Sequence, residues 1–119
     1  MKVVYLAHPI RDKRGIWYHY QNHRRAEELT LKLWSLGFAV ISPGKNTEHF
    51  DGALPDETWL KGDLEILRRC DALILAPGWK NSVGATGERL DAIEHGVPVF
   101  EWETQQPEIF VFAAQGLTH

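Results

Sequence analysis

The chain has 119 residues, 44% of them hydrophobic and 24% charged, with a formal net charge of −3 and one cysteine, Cys70. That length suits one domain with one core, so residues 1–119 are expected to form a single unit. The charge offers no basic field for duplex nucleic acid, a lone cysteine precludes an internal disulfide and fits a reducing cytoplasm, and no apolar run nears the ~20 residues that span a membrane.

The pattern then alternates strand and helix. Val3–Ala7 is a short apolar run and reads as a first strand. Over about 18–36, Ala26, Leu29, Leu33 and Leu36 recur at helical spacing until Gly37 stops the helix. Residues 38–41 form a second strand closed by Ser42, Pro43 and Gly44, and a polar loop follows to Asp56. A second helix is expected over about 55–69, with Leu60, Leu64 and Leu67 on one stripe. Residues 72–76 are a third strand, 78–84 a loop, about 83–95 a helix ended by Gly96, and 97–102 a fourth strand. The apolar tail, 107–114, fits a fifth strand or a short helix equally well. This alternation predicts an α/β domain around a parallel sheet of four or five strands with right-handed crossovers.

Two carboxylates frame the third strand. At ~100° per residue, Asp63 lies ~60° from Leu60 and ~40° from Leu67, at the margin of the buried stripe. Glu88 follows Ala85 by three residues and precedes Ala92 by four, on the small-residue face that packs on a sheet. An unpaired charge in such a place is costly, so each acid needs a reason. One reason is structural: Arg68 or Arg69 neutralises Asp63, and Arg89 or Arg25 neutralises Glu88. The other is chemical, because a pair of carboxylates can cut a glycosidic bond.

Ser82 has a similar double reading. As the N-cap of the following helix it would stabilise the fold by about 1 kcal/mol. Alternatively its hydroxyl and the free N–H groups of Val83 and Gly84 suit a phosphate, with Gly84 allowing close approach. The histidines His19, His23, His49 and His95 show no metal-ligand spacing, and neither a metal nor a cofactor is expected.

Tyr5-Leu6-Ala7-His8-Pro9-Ile10-Arg11, the helix carrying Asp63, and Ser82-Val83-Gly84-Ala85-Thr86-Gly87-Glu88 together resemble the nucleoside 2-deoxyribosyltransferase superfamily. Within it the chain looks closest to small phage and bacterial proteins of unassigned function, and then to the 2'-deoxynucleoside 5'-phosphate N-hydrolases. The resemblance covers roughly residues 2–102. It implies a flavodoxin-like three-layer fold, Glu88 as nucleophile, Asp63 as the group that assists the base or moves a proton, and a homodimer. It also implies Ser82 and Arg11 at a phosphate, and Tyr5, His8 and Gly84 are expected beside them as substrate-binding residues. Two positions depart from the pattern: His8 stands where members often have glycine, and Pro9 where the hydrolases have serine. Trp17 to Tyr20, Asn46, Thr47 and Trp79 look suited to stacking on or edging a base, Trp79 equally to capping the core.

The expected function is hydrolysis of the N-glycosidic bond of a nucleoside 5'-monophosphate, with a small-molecule nucleotide or nucleoside as ligand. Base exchange by a transferase, a non-catalytic sensor of a nucleotide-derived ligand, and a scaffold using its five tryptophans are the alternatives.

Overall fold

The computed structural model describes residues 1–9, 14–43 and 52–117. Its centre is a parallel sheet of four strands, β1 (Val3–Ala7), β2 (Ala39–Ile41), β3 (Ala72–Leu75) and β4 (Val99–Glu101), in the order β2-β1-β3-β4. Helices α1 (Ile16–Ser35), α2 (Asp56–Arg68), α3 (Val83–Glu94) and α4 (Gln106–Gly116) cover it. The two central strands read VVYLA and ALIL without polar alternation. Parallel strands covered on both faces need that composition. Tyr5 stands beside Leu73 and Leu6 beside Ile74. Asp71 fixes that register at its start: its N–H donates to the Val3 carbonyl at 2.7 Å, and its carboxylate accepts from the Val3 N–H at 2.7 Å.

Strand parity divides the core into two layers. Val4, Leu6, Ala72 and Ile74 pack with Leu29 and Leu33 of α1 and Ile109 and Ala113 of α4. Tyr5, Ala7, Leu73 and Leu75 point the other way and pack with Leu67 of α2 and Ala85 and Ala92 of α3. Helices on both faces of a parallel sheet in this order make a flavodoxin-like three-layer fold.

The undecided tail is helical. Ile109 and Ala113, four residues apart, are buried, whereas Phe110 and Val111 stay exposed. Pro107 sits in the first turn, where a helix has no use for the missing N–H. The sheet therefore has four strands among the described residues. β4 is shorter than expected because Pro98 contributes only its carbonyl, which accepts from the Leu73 N–H at 2.8 Å. Helix α1 begins two residues before the expected start. Leu60 does not join the buried stripe of α2: it is 55% exposed, whereas Leu64 is half-buried and Leu67 fully buried.

No helix among the described residues is long and apolar enough to cross a membrane.

Candidate active site

Glu88 is brought to the sheet by its neighbours on α3. Ala85 and Ala92 are almost wholly buried, and such small side chains let the helix backbone approach the strands closely. The half-buried Glu88 carboxylate then meets the hydroxyl of Tyr5, which donates a hydrogen bond to Glu88 Oε2. Tyr5 is completely buried in a central strand. Burial and the neighbouring Glu88 charge push its phenol far above the usual range, so it remains a donor at any physiological pH.

Burial raises the Glu88 carboxyl to about 7, the negative charge of Asp63 pushes in the same direction, and the Tyr5 hydrogen bond opposes both. Half-buried Asp63 is also raised, by loss of solvation. The two acids therefore share an electrostatic environment across the gap between α2 and α3.

The arginines expected to neutralise these acids are placed elsewhere. Arg68 grips Asp91 of α3 with two bonds, Nε to Oδ2 at 3.0 Å and Nη2 to Oδ1 at 2.7 Å, which latches α2 to α3. Arg69 pairs with Glu65 one turn back at 3.0 Å. Arg89 lies over the Trp79 ring, and Arg25 lines a cavity on the opposite face. Among the described residues neither Asp63 nor Glu88 has an ion-pair partner.

Ser82 caps α3. Its backbone is extended and its Oγ accepts the Ala85 N–H at 3.1 Å, so the structural reading of this residue holds. The hydroxyl proton is left over for a ligand, because the bond to Ala85 uses only a lone pair. Gly84 is not required by the fold: a Cβ there would meet only Ser82 Oγ, at 3.9 Å. Gly78, by contrast, turns the chain after β3 at φ +85°, where a side chain is strained.

His8 lies on the opposite side of the sheet from Glu88, since it follows Leu6 by two residues and Tyr5 by three. It is 9% exposed, with Nε2 3.2 Å from Ser42 Oγ, and Nδ1 is buried without a hydrogen-bond partner among the described residues. With Pro9, Arg25, Lys32, Ala76 and Trp102 it lines a cavity of ≈ 400 Å³ beneath α1. Burial lowers the His8 imidazole to about 4, although the Pro9 backbone favours the charged ring. An unfolded chain binds that proton near 6.5, so native stability is full above this pH and falls as pH drops towards 4. His8→Gln should lack this slope, worth up to ~1.4 kcal/mol per pH unit. Urea unfolding of both proteins at pH 7.5, 6 and 4.5 measures it, and a pH-independent difference would refute it.

Tyr5, expected to bind substrate, offers a ligand no exposed surface and acts on the Glu88 carboxylate instead. Arg11, Asn46, Thr47 and His49 lie outside the described residues. Trp79 caps the core on the Glu88 side, its indole N–H donating to Glu101 Oε1 at 3.0 Å. Spacing suggested no metal group around the histidines, yet one turn of helix brings Asp91, Glu94 and His95 within 4.8 Å of one another. Asp91 is already held by Arg68.

The sheet order and its two helical layers define a flavodoxin-like α/β protein, and the buried tyrosine holding one carboxylate with a second acid nearby makes a candidate acid pair. The chain belongs to the family described as Domain of unknown function (DUF4406), whose model matches residues 2–101. No curated protein matches it in sequence. A solved structure of a 2-deoxyribosyltransferase from the psychrotolerant bacterium Bacillus psychrosaccharolyticus is similar in fold, with a TM-score of 0.64 and 21% identity over 83% of this chain and 70% of the other.

Proposed function

We propose that this protein is an N-glycosidase that cleaves the bond between sugar and base in a nucleoside 5'-monophosphate, with Glu88 as nucleophile. The observation that carries the reading is the buried Tyr5 hydroxyl on a Glu88 carboxylate that has no ion-pair partner among the described residues. Likeness of fold to a protein named as a deoxyribosyltransferase supports the substrate class.

In the first step the Glu88 carboxylate attacks C1' while the C1'–N electron pair leaves with the base, which takes a proton from Asp63. In the second, Asp63 removes a proton from water, the water oxygen bonds to C1', and the ester to Glu88 breaks. Loss of solvation raises Asp63 from its ordinary value, the direction a proton donor needs, and Glu88, raised to about 7, acts as nucleophile in its ionised form. Tyr5 holds one oxygen of Glu88 and leaves the other for the sugar. Ser82 and the first N–H groups of α3 receive the 5'-phosphate, with Arg11 adding charge. No step calls for a cofactor. The lone half-buried Cys70 is compatible with a cytoplasmic setting.

Because the Tyr5 bond lowers the Glu88 carboxyl, removing it should move that carboxyl above about 7. Tyr5→Phe is therefore expected to shift the acid limb of the kcat/KM profile to higher pH and to lower its plateau. An unmoved limb would show that Tyr5 does not set the ionisation that activity depends on.

Incubation with a panel of nucleosides and their 5'-monophosphates, followed by chromatography for free base, tests the function. Release from monophosphates is expected. Tight binding without release would make the protein a sensor, and base exchange only when a second base is supplied would make it a transferase.

A further inference from the structure

The ≈ 400 Å³ cavity beneath α1 sits where a sheet of this kind takes a ligand. Among its lining residues, His8 directly follows β1, Ala76 follows β3 and Trp102 follows β4, so it is built at the carboxyl ends of three strands. After the neighbouring strands β1 and β3 the chain departs to opposite faces, to α1 on one and α3 on the other. Open α/β sheets bind ligands in the crevice at such a switch of direction. None of Asp63, Ser82, Gly84 and Glu88 lines this cavity, which lies in the layer of α1 rather than that of α3.

Its walls suit a flat ring and its rim an anion. Ala26, Leu29 and Ala76 are buried and apolar, and half-buried Trp102 is braced by the Phe110 ring at 6.3 Å. Pro9 and Pro77 add two rigid rings. A planar ligand buries apolar area against such groups with little loss of freedom. On the rim, Arg25 and Lys32 stand seven residues apart on α1, about two turns along one face. Neither has an ion-pair partner among the described residues. Glu28, between them, is the one acid among the described lining residues, so cations outnumber acids.

His8 supplies the polar group. It is 9% exposed, and its Nδ1 has no hydrogen-bond partner among the described residues, although buried polar atoms are nearly always satisfied. The character of that atom is adjustable. The Ser42 hydroxyl, 3.2 Å from Nε2, can accept from that nitrogen or donate to it. Nδ1 is then an acceptor in the first case and a donor in the second.

We infer that this cavity is a second small-molecule site, for a planar heterocycle with N–H and C=O groups on its edge and one anionic substituent. The edge lies at His8, the ring beside Trp102 and the anion at Arg25 and Lys32. His8, expected beside the substrate, serves this other ligand, and the site is independent of the activity proposed for Glu88.

Pterin-6-carboxylate is a fluorescent probe of this class with no C1'–N bond to cleave, and pterin is its neutral counterpart at pH 7. Fluorescence anisotropy with the full chain is expected to show saturable binding of the carboxylate below ~1 mM, at least ~10-fold tighter than pterin. Arg25→Glu and Lys32→Glu should each erase that preference and leave pterin binding unchanged, whereas Glu28→Gln should tighten the carboxylate alone. His8→Leu should weaken both probes at least ~10-fold with an unchanged far-UV spectrum. Glu88→Gln and Ser82→Asp should bind both probes as the native protein does. Absence of saturable binding, equal affinity for the two probes, or a preference indifferent to both rim substitutions would overturn the inference. So would native affinity in a folded His8→Leu variant, or loss of binding in Glu88→Gln, which would put the probe at the acid pair.

Discussion

Glu88→Gln is expected to lower turnover by at least ~100-fold and, in the same protein, to raise stability at neutral and alkaline pH. The two effects share one cause. Burial raises the Glu88 carboxyl from its ordinary 4.5 to about 7. Between those values the folded chain holds a proton that the unfolded chain has released, so stability falls as pH rises through the window and stays lower above it. Glutamine has nothing to ionise and can still accept the Tyr5 hydrogen bond. Its advantage should be absent near pH 4 and reach on the order of 1–3 kcal/mol above pH 7. Paired thermal denaturation and initial-rate measurements at pH 4.5 and 8 check both effects. A glutamine variant that is less stable at pH 8 would identify Glu88 as a structural acid.

The other large expected effect is on substrate choice. The wild-type protein should process 5'-monophosphates better than the corresponding nucleosides, and Ser82→Asp should cut that preference at least ~10-fold by setting a carboxylate against the phosphate. The substitution separates binding from folding. Aspartate caps a helix as well as serine does, and its charge suits the positive end of α3. The Ser82 Oγ to Ala85 N–H bond has a direct counterpart in the variant. Thermal stability should therefore hold while the ratio of kcat/KM for monophosphate over nucleoside falls. An unchanged ratio would place the phosphate elsewhere or remove it from the substrate.

The sheet, its parallel direction and the inward face of α3 were legible because each depends on local pattern. Glu88 is a case in point: Ala85 and Ala92 beside it announce a face that packs on strands. The Tyr5 contact was not legible in the same way, because it depends on the depth at which α3 sits over a strand 83 residues away in sequence. The sequence offered Arg68 as a partner of Asp63, although five residues along one helix put them ~140° apart. That separation alone could not disclose Asp91 as the partner, because Asp91 belongs to another helix. The parity of β1 already placed His8 opposite Tyr5, a consequence of period two that the motif resemblance obscured. The apolar tail is ambiguous by composition, and only docking of Ile109 and Ala113 on the sheet decides it.

The most direct test of Glu88 as nucleophile is peptide mapping by mass spectrometry after acid quench of the protein during turnover of a nucleoside 5'-monophosphate. A sugar-phosphate ester is expected on the peptide that contains Glu88, absent from Glu88→Gln and lost when the native complex is left to react with water. Continued base release by Glu88→Gln, or an ester on a different residue, would contradict it.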